Sequence, residues 1–212
     1  MKKSNYVITI ARGFGSGGKE IGVKLGEKLG IPCYERQILK MAFDYSGLNE
    51  SLFVKADEKL TGNMLTKLLK KFPDTNHIAE PTQKEFVSDV NLFNIQAEMI
   101  RRLAETESCI IIGKCANHIL RSYQNVISVY IEASRDFCVK TVIKRLHVSN
   151  EQAHSMIYQT DKYRADYYKY YSGGEVWTNP IVYDMTLNSG RIGWDHCVDI
   201  IADFIKIKQL CN

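Results

Sequence analysis

The residues whose types and spacing most plainly carry chemistry are Gly13-Phe14-Gly15-Ser16-Gly17-Gly18-Lys19, four glycines in six positions and then a lysine. They fit the pattern G-x-x-x-x-G-K. Glycines can take backbone angles that turn successive N–H groups inward. A helix starting at the end of the loop adds its partial positive charge, so the segment reads as a nest for phosphate oxygens. Lys19 would then reach the outer phosphates of a nucleoside triphosphate. Two other readings compete. A glycine-rich turn with no ligand is the plainer one. A dinucleotide turn is the other, since Gly13, Gly15 and Gly18 also match G-x-G-x-x-G, but no acidic residue ends a second strand at the expected distance. Glu20 follows Lys19, where the phosphate-loop pattern has a Ser or Thr hydroxyl that ligates Mg²⁺.

Such a loop needs a strand before it and a helix after it, and the neighbouring residues supply both. Tyr6 to Ala11 is short and β-branched. From Lys19 on, Ile21, Leu25 and Leu29 recur every four positions, while Gly22 and Gly26 leave a bare stripe for close approach to a sheet. Gly30 stops the helix ahead of Pro32. Cys109 to Ile112, Val126 to Ile131 and Ile181 to Met185 read as further buried strands. Helical patterns cover about 84 to 105, 134 to 147, 150 to 170 and 192 to 208. Alternating strands and helices predict an α/β fold with a parallel sheet, helices on both faces and ligands beyond the carboxyl ends of the strands. Gly47 to Pro81 combines one helical pattern, Leu52 to Leu69, with the turn-rich Phe72 to Pro81, and reads as an inserted substrate-side segment.

The chain of 212 residues, 45% hydrophobic and 25% charged, has room for one substantial domain. Its charge of +4 comes from 28 basic and 24 acidic residues, too small and too scattered an excess to argue for nucleic acid. No apolar run approaches the length of a membrane span, so no membrane partner is expected and the cytoplasm is the expected compartment. Six cysteines without a C-x-x-C pair point to reduced, mostly buried thiols. Nothing in the pattern sets an oligomeric state.

Three blocks resemble the cytidylate kinase-like family of P-loop nucleoside monophosphate kinases. They are ITIARGFGSGGKEIGVKLGEKLGIPCYERQIL, then IIIGKCANHIL, and then DKYRADYYKYYSGGEVW with YDMTLNSGRI. The resemblance implies a P-loop kinase fold of about five parallel strands. It divides the chain into a core (1–34, 106–146, 180–212), a monophosphate-binding insertion at about 35–105 and a lid at about 145–179. It implies transfer of a phosphoryl group from ATP, with Mg²⁺, to a phosphorylated small-molecule acceptor such as CMP or dCMP. Lys19 matches the loop lysine, and Gly13, Gly15, Ser16, Gly17, Gly18 and Glu20 share its loop. Arg145 and Arg164 match lid arginines, with Asp161 beside Arg164. Glu35, Arg36 and Arg101 fall on the acceptor side, Arg102 being equally plausible by register. Asn188 and Ser189 fall in the base-side loop.

Two departures stand out. Lys114 takes the place of a turn arginine, a point charge instead of a two-pronged grip. Ile112 replaces a third-strand carboxylate that often orients Mg²⁺, which leaves Glu20, Asp161 and Glu35 as carboxylates that could face the metal. A nucleotide-binding regulatory protein without efficient turnover, or a kinase of another small molecule, fits the same residues. Tyr163, Tyr167, Tyr168, Tyr170 and Tyr171 read as a packed helix face, with Tyr167 and Tyr171 the candidates for the site.

Overall fold

The computed structural model describes residues 5–48, 52, 78 and 88–210. The expected helical pattern Leu52 to Leu69 and the turns of Phe72 to Pro81 lie outside the described residues, apart from Leu52 and Ile78. Five strands pair in parallel in the order β2-β3-β1-β4-β5: β1 Val7–Arg12, β2 Cys33–Tyr34, β3 Cys109–Ile112, β4 Val126–Glu132 and β5 Met185–Asn188. The helices are α1 Gly18–Leu29, α2 Gln37–Ser46, α3 Asp89–Thr106, the single turn α4 Ala116–Ile119, α5 Arg135–Leu146, α6 Asn150–Tyr171, the single turn α7 Ser189–Ile192, and α8 Trp194–Leu210.

Both faces of this sheet are covered, which is why its strands are apolar runs with little alternation. Ile8 and Ile10 of β1 pack with Ile21 and Leu25 of α1 and with Cys197, Val198, Ile201 and Ile205 of α8. Val7 of the same strand faces the other way, toward Ile38 and Leu39 of α2 and Ile95 and Ile100 of α3. Further along that face Ala11 and Tyr130 meet Phe93 and the tyrosines of α6. Strands β1 and β4 are neighbours whose connections lead to opposite edges of the sheet, and a crevice opens at their carboxyl ends.

Helix α3 begins at Asp89 because Ser88 caps it, its hydroxyl accepting from Asn91 N at 3.2 Å; the expected start near 84 lies outside the described residues. The last strand also differs from expectation. Pro180–Val182 forms a 3-10 turn, with the Asn179 side chain accepting from Ile181 N, so pairing with β4 starts only at Met185 and extends to Asn188. An apolar triplet after a proline resembles a buried strand in composition, yet Ile181 is 88% exposed.

The glycine stripe of α1 lets the helix lie directly on the sheet. A β-carbon at Gly22 would stand 2.9 Å from Ile112 Cδ1 and 3.2 Å from Ile10 Cδ1, both fixed in the core. Gly22→Val should therefore destabilise the protein by about 1–3 kcal/mol, overpacking outweighing the gain in helix propensity, as read from urea unfolding.

Candidate functional site

Gly13 to Lys19 joins β1 to α1 across the carboxyl edge of the sheet and lines a cleft of about 630 Å³. The loop is gripped from outside. Phe14 N–H donates to Asp161 Oδ1 at 2.8 Å. The buried Ser16 hydroxyl lies within hydrogen-bond reach of the carbonyls of Gly13 and Ile131, at 2.9 and 3.1 Å. Ser189, fully buried, donates its hydroxyl to the Ser16 carbonyl at 2.5 Å. Gly15 and Gly17 have φ of 90° and 82°, a region that favours glycine, and side chains there would collide with Cys138 and the Trp194 ring. The loop is thus held in shape by contacts that leave its open side facing the cleft.

Around that open side stand Arg12, Lys19, Arg36, Lys114, Arg145 and Arg164, with two carboxylates, Glu20 and Glu35. Lys19 Nζ pairs with Glu35 Oε2 at 2.7 Å, and Arg12 Nη2 with Glu35 Oε1 at 3.0 Å. Burial pushes the Glu35 carboxyl up, but these two cations outweigh it and hold it below its ordinary range. Arg145 pairs with Glu20 at 2.5 Å, and the guanidinium carbons of Arg145 and Arg164 lie 5.7 and 5.6 Å from the Phe14 ring centroid. Arg164 also donates to the Arg12 carbonyl at 2.9 Å and to Asp161 at 3.3 Å.

The third side of the cleft is the turn after β3. Gly113, Lys114 and Cys115 all have left-handed φ, at 72°, 60° and 54°, two of them side chains that rarely adopt it. Such backbone persists only where its surroundings over-determine it, and it clusters at ligand sites. Burial, with Arg12 close by, lowers the half-buried Lys114 to about 8. Beyond it the cleft is walled by Asn117, Tyr163, Tyr167, Tyr168 and Trp177.

The cleft therefore gathers Gly13, Gly15, Gly17, Gly18, Lys19, Glu20, Glu35, Arg36, Lys114, Arg145 and Arg164, as the sequence suggested. Other expected site residues are placed differently. Asp161 stands behind the loop and holds it, its carboxyl raised by burial against the opposing Phe14 N–H and Arg164. Ser16 turns its hydroxyl inward. Asn188 caps α7, accepting from Arg191 N at 3.2 Å, so residues 189–192 are a helical turn and not a loop. Ser189 braces the loop from below. Arg101 does not line the cleft, and neither does Arg102: the carboxyl half of α3 runs to the amino-terminal edge of β3, and both arginines approach Glu98. Tyr171 packs on Phe93 with centroids 3.8 Å apart, whereas Tyr167 faces the cleft.

Sequence reasoning missed Arg12, Glu132, Trp177 and Trp194. Arg12 and Glu132 carried a usable signal: each is a charged residue ending an apolar strand of a parallel sheet, the position that projects onto the ligand edge. Glu132 accepts from Tyr130 OH at 2.6 Å and from Ala133 N at 2.9 Å, and its carboxylate fills the space a side chain at Gly13 would need.

Mg²⁺ prefers oxygen ligands and keeps several waters, so an ion carried by nucleotide phosphates needs only one or two protein carboxylates. The donor set fits that requirement. Glu35 is committed to Lys19 and Arg12, while Glu20, in the first turn of α1, has Arg145 as its partner and the cleft before it.

Lys114 gives a pH-dependent readout of the site. The folded ammonium releases its proton near pH 8, while the unfolded chain keeps it to the ordinary lysine range. This group's burial cost is therefore full below about 8 and fades as pH rises through that window. In protein reductively methylated with ¹³C, the resonance that disappears in Lys114→Arg should titrate near pH 8, well below those of exposed lysines. Asp161→Ala should in turn loosen the loop, speeding amide hydrogen exchange at residues 13–19 by about tenfold with little change in far-UV circular dichroism.

The chain is similar to several solved structures. A crystal structure of an uncharacterized protein from Eubacterium ventriosum is similar at 26% identity with a TM-score of 0.69, over 95% of this chain and 99% of that one. Shikimate kinases from Bacteroides thetaiotaomicron (13% identity, TM-score 0.48, 95% and 98% covered) and Acinetobacter baumannii (14%, 0.48, 98% and 96%) also match. No curated protein matches the chain. Residues 7–191 match the model of the cytidylate kinase-like family, and the chain, an α/β protein with the P-loop kinase fold, belongs to that family.

Proposed function

We propose that this protein is an ATP-dependent phosphotransferase whose acceptor is a phosphorylated small molecule, a nucleoside monophosphate such as CMP or dCMP. One observation carries the reading: six basic side chains converge on a single cleft whose floor is a glycine loop at a helix N-terminus. Phosphoryl transfer asks little covalent chemistry of a protein and a great deal of positioning and charge stabilisation, which is what such a cleft offers.

In this reading the loop amides and Lys19 hold the β- and γ-phosphates, and Lys19 exchanges Glu35 for them. Arg145 and Arg164, already beside Phe14 on the loop, close on the transferring group from α5 and α6, the region taken as the lid. Arg36 and Lys114 face them from the acceptor side, where residues 35–105 form the monophosphate-binding part. The acceptor oxygen attacks the γ-phosphorus in line, the bond to the β–γ bridging oxygen breaks, and ADP leaves with that electron pair. No covalent enzyme intermediate forms. Bound Mg²⁺ would neutralise charge on the phosphate oxygens, with Glu20 its protein partner once Arg145 has turned to the phosphates.

Coupled measurement of ADP release with ATP, Mg²⁺ and a panel of monophosphates tests this. Release is expected with a pyrimidine monophosphate, and Lys19→Ala should lower kcat/KM by about 10²–10³-fold. No release above the Lys19→Ala background with any acceptor sinks the kinase reading. ADP binding without transfer is the behaviour of a nucleotide-binding regulatory protein; release with another small molecule alone moves the acceptor assignment.

A further inference from the structure

Arg12 has no part in the phosphate-loop pattern, yet it sits at the centre of the charge arrangement. It ends β1, and its side chain is only 16% exposed, as is that of Arg164 at 17%. Its guanidinium lies over Gly113, in space that a side chain there would fill, and so reaches the left-handed turn that presents Lys114. Burial lowers the proton affinity of Arg12, Lys114 and Arg164, and Arg12 lowers that of the other two further. Like charges gathered out of water are costly unless an anion lies among them.

Asp161 lies beside Arg164, and Glu35 is the carboxylate that meets Arg12. Its two oxygens reach two cations at once, Arg12 at 3.0 Å and Lys19 at 2.7 Å, as two oxygens along one edge of a phosphate would. It follows Tyr34, the last residue of the two-residue strand β2, and its backbone N–H is tied to Gln37 Oε1 at 3.0 Å. The carboxylate therefore enters the cluster from the cleft margin, while Arg12 is fixed in the sheet. The fixed partner and the replaceable one are distinct.

We propose that Arg12 is the inner wall of an oxyanion seat, shared with Lys114, in which a phosphate dianion takes the place held by the Glu35 carboxylate. That this anion is the acceptor's phosphate rests on the kinase reading; the seat itself does not. Glu35 is then a stand-in that keeps the cations charged and in place until the anion arrives.

The test is a titration of inorganic phosphate into the full chain with ADP present in excess, followed at the Lys114 resonance of ¹³C-methylated protein and by calorimetry. Wild type should bind phosphate at the Lys114 site. Arg12→Gln should weaken it by about tenfold or more, the loss of a charge-assisted contact, and Arg12→Lys should recover part of that. Glu35→Gln, which removes the competing charge but keeps the shape, should tighten phosphate several-fold. Phosphate that leaves Lys114 unperturbed, an Arg12→Gln affinity equal to wild type, or a Glu35→Gln affinity no better than wild type overturns the proposal. If Arg12→Gln does not fold, Glu35→Gln decides alone. Binding and turnover separate the two claims: the phosphate pattern without ADP release from any acceptor removes only the kinase reading, and turnover without the phosphate pattern removes only the seat.

Discussion

A loop made largely of glycine has almost no side chains with which to hold itself, and everything at the carboxyl edge of this sheet depends on how that is solved. Backbone entropy is largest where side chains are absent, so an open glycine loop in water would not keep its amides aligned. Here the conformation is imposed by neighbours. Asp161 takes the Phe14 N–H, Ser189 takes the Ser16 carbonyl, and Glu132, Cys138, Trp194 and Arg12 occupy the volumes that side chains at Gly13, Gly15, Gly17 and Gly18 would claim. Helices α5, α6 and α8 and strand β4 all contribute, so the precision of the loop is a property of the whole domain.

The second constraint is charge. The sheet edge brings several cations into partly buried positions, and the carboxylates nearby are arranged by function. Asp161 and Glu132 face the protein and are bonded to backbone N–H groups; Glu20 and Glu35 face the cleft, and their carboxylates are bonded, among the described residues, to cations. An acid held by a backbone amide stays where it is. An acid held by Lys19 or Arg145 competes with whatever anion those side chains would otherwise meet, and its affinity for them sets a threshold the ligand must exceed.

Much of this was legible in the chain itself, because local signals decided it. The strand, loop and helix around Gly13 to Lys19 follow from β-branched residues, glycines and a four-residue apolar period, and α1, α5 and α6 fall within a residue or two of where their patterns place them. What failed was long-range. Ile181 to Met185 looks like a strand in composition, but Pro180 and the Asn179 cap bend it, and β4 has room to pair only from Met185. Arg101 has the right side chain on the wrong half of its helix. Asp161 and Ser189 were singled out from their segments, but that both act on the loop backbone depends on contacts across 147 and 173 positions of sequence, which no periodicity encodes. Arg12 carried a signal that sequence reasoning left unused: the β-branched run Tyr6 to Ala11 stops one residue short of the charge that ends the strand.

The bond from Ser189 to Ser16, with Trp194 against Gly17, also orders events in time. Two of the groups that shape the loop lie more than 170 positions after it. On the ribosome, β1 and α1 emerge long before residues 185–194 exist, so until then the loop is without its lower support. Nucleotide can therefore meet a finished cradle only after the last strand has joined the sheet. The loop is thus written well before the residues that complete it, and ligand binding reports that the elements from β1 to α8 are already in place.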